Sequence, residues 1–491
     1  MAKFLIVGFD GLRREDAVSG AMPNLGAFIR ERCFCAGHRA VFPVETYVNH
    51  PSIFSGFLPR RHGVIANMYH NRPGANKRTA YFLGSSVDSI EANDFGGNLI
   101  EVPTIGRLLG ERGLTMRVIG SNSSGSTRLK HREARVFPGH LNLPVCDLSK
   151  AVPQSEIAPF RELHGDGWPL SFPYLEGSKA VIDSFFEVEV KRGLADVTVL
   201  WLGEPDHSSH QDGPLGPKTS AALAQADSLF GEVADWWRRE GGDTQLLTIS
   251  DHGHVIIERY SHLKKALIDA GLRVAGCRDI EAGAPLEEID LVMSGDYCSG
   301  LWLARDDDMR TLAKAIEALL ASEDLGLLLT NRKDLETGID SGIFPESLVL
   351  SDHQRSPDLR LVTRGDPKTN LIACEKGLAI GAGAHGGLLP DELNCLCAWG
   401  GDLFKEEKEC RLPSGPADVA ATILSLLGFG EKVVKGLDGR VLTECLSRQA
   451  PEKGPKPKAE TIIRQKGGFR QVLKRTAYKG RVYLDCGYRE L

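Results

Sequence analysis

Residues 4–11 read FLIVGFDG, an apolar run that ends in an aspartate and a glycine. Such a run reads as a buried parallel strand whose carboxyl end carries the chemistry. The pattern recurs at Met116–Gly120 before Ser121, at Val197–Leu202 before Glu204 and at Leu246–Ile249 before Ser250. Between these runs lie amphipathic helical patterns, PTIGRLLGER at Pro103–Arg112 and a longer one at Lys218–Arg239. The latter sets Leu223, Ala226, Leu229, Val233 and Trp236 or Trp237 at helical spacing. Strands alternating with helices predict an α/β fold with a doubly wound, mainly parallel sheet, and such sheets bind ligands beyond the carboxyl ends of their strands.

With 491 residues and 42% hydrophobic composition, the chain has material for one large domain plus a satellite, or for two medium domains. Its net charge of −6 gives no global pointer to nucleic acid or to an anionic membrane. The balance is uneven, because Pro451–Leu491 carries 11 Lys/Arg against 4 Asp/Glu. Eleven cysteines cannot all pair within the chain, and the C-x-C pairs Cys33/Cys35 and Cys395/Cys397 lack the second half of a zinc knuckle. They read as buried or free thiols of a reducing compartment. The apolar stretch in MAKFLIVGFDG is too short for a secretory h-region, and no segment approaches the ~20 apolar residues of a membrane span. A cytoplasmic location is expected.

More than a hundred positions separate SDHG, at Ser250–Gly253, from GAHGG, at Gly383–Gly387, and they hold their own strand and helix patterns, Tyr297–Ala304 and Met309–Ala321. The expected organisation is a catalytic domain from residues 1–254 and 380–445, an inserted α+β cap subdomain from 255–379, and a basic C-terminal extension from 446–491. A second insertion, about Tyr69–Ile100, is rich in Asn, Gly and Ser and is expected to form a loop wall. Ala417–Leu427 reads as a last helix stopped by Gly428. Beyond Ala450 the run PEKGPKPK reads as a solvated linker, and the basic tail after it as a solvated extension, with an oligomerisation arm or an anionic-surface contact as alternatives.

Asp10 sits where a carboxylate projects from a sheet edge, although an aspartate there also serves as the N-cap of a following helix. In DHSSH, Asp206 and His210 are four residues apart and share one face of a helical turn, so they suit one metal; His207 is an alternative ligand by spacing alone. Asp251 and His252 follow the run LLTI on a turn with a permissive glycine, and His254 adds a third candidate. His385 lies among glycines, as suits a ligand delivered from a loop. Thr46 and Asn67 belong to VFPVETYVNHPSIFSGFLPRRHGVIAN, Val41–Asn67. A threonine hydroxyl is a poor nucleophile until a metal or base activates it, and an asparagine amide can donate to a non-bridging phosphoryl oxygen. Glu45 and Arg60/Arg61 are read as solvated flanks. Three carboxylates, three imidazoles and one hydroxyl are what a pair of divalent ions needs to activate an alcohol beside a phosphoryl group.

The order Asp, Thr, Asn, Asp-x-x-x-His, Asp-His-Gly, His-Gly resembles the nucleotide pyrophosphatase/phosphodiesterase (type I phosphodiesterase) family of the alkaline phosphatase superfamily. FPVETYVNHPSIFSGFLPRRHGVIAN is similar to that family's nucleophile region, PDHSSHQDGP to its first metal motif, SDHG to its second, and Gly436–Arg440 to its closing segment. The resemblance implies an alkaline phosphatase-like fold. It implies one ion on Asp206, His210 and His385, another on Asp10, Asp251, His252 and the Thr46 oxygen, and a phosphoryl-holding role for Asn67. Zinc is the metal implied, with manganese or iron compatible with the same mixed N/O set. The chain departs from the family pattern at His254, where methionine is common, and at Val48, where proline is common.

The implied activity is hydrolysis of phosphodiester or pyrophosphate bonds of a small, nucleotide-like phosphoester through a phospho-threonine on Thr46, with two ions clamping the attacking and leaving oxygens. No nucleic acid polymer is expected as a partner. Arg128 and Lys130, in SNSSGSTRLKHR at Ser121–Arg132, are candidate substrate contacts: reaching the phosphoryl site they favour a monoester, facing solvent they leave a diester. The alternatives are a phosphomonoesterase or phosphonate hydrolase similar to phosphonoacetate hydrolase, whose substrate-binding lysine pair is not plainly present. A further one is a metal-binding, non-catalytic relative that recruits a partner through its tail.

Overall fold

The computed structural model describes residues 2–70, 80–82, 98–305, 307–337, 342–448 and 454–490. The loop wall expected at about Tyr69–Ile100 lies mostly outside the described residues, as does the start of the linker after Ala450.

The expected doubly wound sheet is observed. Its eight strands run in the order Lys408–Cys410, Cys33–Cys35, Cys397–Gly400, Thr244–Ser250, Lys3–Phe9, Val197–Leu202, Met116–Gly120, Leu141–Pro144. The five from Thr244–Ser250 to Leu141–Pro144 are parallel, and Cys397–Gly400 closes against them antiparallel. Because side chains alternate across a strand, Leu5, Val7 and Phe9 enter one core layer with Phe28, Phe230 and Val233, while Phe4 and Ile6 enter the opposite layer with Ile53, Ile105 and Ile423. Helices Pro23–Glu31 and Pro217–Glu240 thus cover one face, and Thr46–Ser55, Ile105–Gly110 and Pro416–Leu426 the other. Helix Pro416–Leu426 ends before Gly428, at φ +75°, as the sequence predicts, but it is not the last: the short helix Glu431–Lys435 follows.

Sheet register places the chemistry. Phe9 pairs in parallel with both Leu202 and Ser250, so the chain leaves three adjacent strands at one edge, carrying Asp10, Asp206 and Asp251.

A second sheet of six strands, Val274–Gly276, Leu291–Ser294, Cys298–Leu303, Leu359–Thr363, Leu325–Thr330 and Phe344–Pro345, packs on helix Met309–Ala321 through Leu301, Leu312, Leu319 and Leu361. A smaller sheet joins it to the body: Gly383–Ala384 pairs antiparallel with Val255–Tyr260, Ala384 opposite Val255.

The tail differs from a solvated extension. Lys458–Lys466, Phe469–Tyr478 and Arg481–Glu490 form an antiparallel three-stranded sheet. Phe469, Val472, Leu473 and Leu484 are buried, and the Gln471 amide pairs with both backbone groups of Leu328 at 3.0 Å. On the body side Tyr483 donates to Asp418 (3.0 Å) and Gly487 N to the Leu388 carbonyl (2.8 Å). VLKRTAY and RVYLDCGY are strands, which composition hides because charged residues sit among the apolar ones that become buried.

Candidate active site

Asp10 and Asp251 each have one oxygen tied down and one left facing inward. Asp10 Oδ2 accepts from Asn122 Nδ2 (2.7 Å) and Trp201 Nε1 (3.1 Å), leaving Oδ1 3.4 Å from Thr46 Oγ1 and 3.5 Å from His252 Nε2. Asp251 Oδ1 accepts from the backbone N–H of Gly11 (3.1 Å) and of His252 (3.0 Å), and its Oδ2 faces His50 Nε2 at 3.1 Å. Asp206 begins the short helix Asp206–Asp212, and its Oδ1 lies 3.3 Å from His210, 3.1 Å from His254 and 3.6 Å from His385. Three sets of ligand atoms lie within 4.8 Å of one another: Asp206, His210, His254, His385; Asp10, Asp206, His252; and Asp10, His50, Asp251.

Four imidazoles are oriented in the same way. The Nδ1 of His210, His252, His254 and His385 lies 2.8–3.0 Å from the carbonyls of Gly383, Gly253, Gly11 and Val44 respectively. A carbonyl only accepts, so each ring carries a hydrogen on Nδ1 and turns its Nε2 to the centre, the arrangement of a metal-binding histidine. His210 and His385 even bring their Nε2 atoms to 3.1 Å, which requires a proton or a cation between them. His207, the alternative by spacing, instead packs against Phe172 and Tyr174, ring centroids 5.8 and 5.9 Å away, outside the three sets.

Thr46 is the first residue of helix Thr46–Ser55, where the helix dipole favours an anion. Its hydroxyl lies 3.0 Å from His252 Nε2. His50, one turn along the same face, sends its Nε2 to the Asp10/Asp251 set; periodicity gave no reason to single it out, because a helix interior histidine reads as packing. Asn67 Oδ1 accepts from the Tyr47 N–H at 3.0 Å, which fixes the amide and leaves its NH₂ end to donate. Glu45 is not a solvated flank. It is buried, accepts from the Asn67 N–H, and burial pushes it up to about 7.

Neither Arg128 nor Lys130 faces solvent. Helix Ser124–Lys130 turns both inward: Arg128 Nη2 donates to the Lys150 carbonyl at 3.1 Å, and Lys130 Nζ donates to Ser126 Oγ at 3.1 Å above the Trp201 ring. Lys130 also stands 3.5 Å from Asn122 Oδ1, so it backs the Asn122–Asp10 pair. Burial pulls it down to about 7, against the charges of Asp10 and Asp251.

A second group that the sequence reading missed is Glu392, wholly buried seven residues after His385. Its two oxygens accept from the N–H of Gly386, Gly387 and Leu389 at 2.8, 2.8 and 2.9 Å and from Tyr297 Oη at 2.8 Å. It fixes the loop that carries His385. Capping-type contacts of this kind leave no mark in a glycine-rich sequence.

The electrostatics call for cations. Burial and the neighbouring Asp10 push Asp251 up to about 8, while Asp251 and Asp10 overcome the opposing effect of burial and lift His252 to about 10. Asp206 Oδ1, His254 Nε2, Asp251 Oδ2 and His50 Nε2 are all buried without a hydrogen-bond partner. At about 1–3 kcal/mol for each unsatisfied polar group, such a concentration is retained only if something else fills the coordination. Divalent ions fit that donor set of imidazole nitrogens and carboxylate oxygens.

Fold and site together define an alkaline phosphatase-like α/β protein with a buried cluster of candidate metal ligands at the carboxyl edge of its sheet. The sequence pattern of type I phosphodiesterase / nucleotide pyrophosphatase matches residues 4–387, and the chain belongs to that family. Ectonucleotide pyrophosphatase/phosphodiesterase family member 1 of Rattus norvegicus is 26% identical over 271 residues, 54% of this chain and 26% of that protein. The chain therefore spans about a quarter of the length of that curated relative. Human bis(5'-adenosyl)-triphosphatase ENPP4 is 35% identical over 69 residues, 14% of this chain and 15% of that one. Among solved structures, murine ectonucleotide pyrophosphatase/phosphodiesterase 5 superposes with a TM-score of 0.57 at 16% identity, covering 87% of this chain and 95% of that one. An inactive threonine-to-alanine form of the murine protein, in complex with AMP, gives the same TM-score. Among the described residues no helix is long and apolar enough to cross a membrane.

Proposed function

We propose that this protein is a metal-dependent hydrolase of phosphodiester or pyrophosphate bonds in small nucleotide-like substrates, with Thr46 as nucleophile. The observation that carries the reading is the position of Thr46 Oγ1, 3.0 Å from His252 Nε2 and 3.4 Å from Asp10 Oδ1, at the positive end of a helix. Family membership and the AMP bound by the murine relative point the same way.

In this reading Asp206, His210 and His385 hold one ion, and Asp10, Asp251, His252 and Thr46 Oγ1 the other. Zinc suits the mixed nitrogen and oxygen donors best, with manganese or iron as outcomes of a metal assay. When bound, the ions lower the pKa of the Thr46 hydroxyl and neutralise charge on the phosphoryl group. Thr46 Oγ1 attacks phosphorus, the bond to the leaving oxygen breaks, and the phospho-threonine so formed is hydrolysed by water to free Thr46 and product. The helix amino terminus and the outward NH₂ of Asn67 hold the non-bridging oxygens.

Diesters are favoured over monoesters because Arg128 is committed to the Lys150 carbonyl and Lys130 to Ser126 and Asn122, behind Asp10. A phosphonate hydrolase similar to phosphonoacetate hydrolase is the second reading, and it rests on Lys130 swinging to the substrate. The test is hydrolysis of bis-p-nitrophenyl phosphate, p-nitrophenyl phosphate and phosphonoacetate by one preparation of quantified metal content. Faster release from the diester supports the proposal; a preference for either of the others refutes it. A cytoplasmic location is proposed on eleven free thiols, ten of them buried, and is tested by thiol counting in unfolded, unreduced protein.

A further inference from the structure

We infer that the nitrogen-rich cluster is a four-ligand site, in which His254 joins Asp206, His210 and His385 as a third imidazole ligand. The inference extends the two-ion reading above, which gives that ion only one carboxylate and two histidines.

Three observations carry it. His254 Nδ1 is 2.9 Å from the Gly11 carbonyl, which can only accept, so the ring hydrogen lies on Nδ1 and the bare Nε2 points the other way. That Nε2 lies 3.1 Å from Asp206 Oδ1, and both atoms are buried without a hydrogen-bond partner. Two acceptors pressed together at that distance repel unless a proton or a cation lies between them. Finally, the four ligand atoms lie within 4.8 Å of one another, and the ring of His254 meets those of His210 and His385 at 78° and 84°, centroids 5.1 and 5.3 Å away. Nearly perpendicular rings converge on a point rather than stack.

The backbone is cut to fit this ring. A Cβ on Gly11, at φ +66°, would stand 2.4 Å from His254 Cε1, and one on Gly383 would stand 3.0 Å from His254 Cδ2. Between those glycines the ring has one seat, with Nε2 towards Asp206. Strand pairing sets its partner, since Ala384 opposite Val255 brings His385 alongside His254.

The chemical consequence is selectivity. One carboxylate and three imidazoles fill a tetrahedral zinc and suit zinc, cobalt or ferrous iron much better than magnesium, calcium or manganese. The cluster of Asp10, Asp251, His252 and Thr46 is richer in oxygen and less selective.

The test uses the full chain, stripped with chelator and reloaded with Co²⁺. The rings of His210, His252, His254 and His385 each hold an exchangeable Nδ1–H, so the proton NMR spectrum of the cobalt protein should show a hyperfine-shifted exchangeable N–H signal for each, that of His254 assigned by its contact with Gly11. Absence of the His254 signal would overturn the proposal. In chelator competition, His254→Met should weaken one of the two ions by roughly 10–100-fold and alter its visible absorption, leaving the other unchanged. Asp206→Asn should remove the same ion. Unchanged affinities in His254→Met also overturn the inference, and the NMR result on the unmutated protein stands even if a variant fails to fold. Absence of phosphodiesterase activity with four bound imidazoles would refute the proposed function and leave this inference intact.

Discussion

The two ligand clusters lie side by side and are built by different means. Asp10 and Asp251 come from neighbouring parallel strands whose register, Phe9 opposite Ser250, sets the two carboxylates side by side. The nitrogen-rich cluster instead gathers Asp206 and His210 from a short helix, His254 from the start of a strand and His385 from a loop about 130 residues later. The first depends on the central sheet, which any folded form of the chain must make. The second depends on the junction of Gly383–Ala384 with Val255–Tyr260, on Glu392, and through Leu388 on the C-terminal sheet. Disturbance at the periphery should therefore reach the nitrogen-rich cluster first.

Removing Thr46, the proposed nucleophile, should have the largest effect. Thr46→Ala is expected to lower turnover by about a thousandfold or more while both ions stay bound, as measured by initial rates and metal analysis on one sample. Wild-type rates in that variant would remove Thr46 from the chemistry.

Next, Glu392→Gln separates the clusters. The substituted amide turns an N–H toward backbone N–H groups in a buried pocket, costing about 2–4 kcal/mol of stability in a thermal or urea transition. It should also weaken the nitrogen-rich ion by roughly 10–100-fold and leave the other ion alone. Equal losses at both clusters would dissolve the distinction.

Metal removal probes the same contrast through stability. Chelator should lower the melting temperature, and an ion at 100 times its dissociation constant should restore about 2.7 kcal/mol. Two restoration steps at different metal concentrations are expected, one for each cluster.

Buried histidines outside the clusters give a smaller, pH-dependent effect. His38 and His62 are held down to about 3 by burial, and His62 Nδ1 accepts from the Val64 N–H, so both are neutral when folded. The unfolded chain takes up these protons below about pH 6.5, so stability is lost as pH falls, at about 1.4 kcal/mol per pH unit for each ring. Replacing His62 by Gln should shallow the acid limb of stability against pH without altering metal content.

Much of the fold is legible in the sequence because its parallel strands are buried on both faces and so appear as unbroken apolar runs. Met116–Gly120 and Val197–Leu202 match the observed strands residue for residue, as Met309–Ala321 matches its helix. The tail is less legible: its eleven Lys/Arg, interleaved with the apolar positions, read as a solvated arm, whereas Gln471 and Leu473 lie in the core. In the site, Asp10, Thr46, Asp206, Asp251, His252 and His385 are recognisable from local spacing and from their order along the chain. His50, Asn122 and Glu392 are not, because each acts through a partner distant in sequence.

By itself the sequence determined the strands, their ligand-bearing ends and the family chemistry those ends imply, since these follow from local hydrophobicity and from motifs a few residues long. Tertiary structure alone decided which histidines point inward, that Arg128 and Lys130 are buried and engaged, and that the tail is part of the folded body. Each of those depends on which carbonyl, carboxylate or strand edge lies across a gap of tens to hundreds of residues, and chain spacing carries no information about that distance.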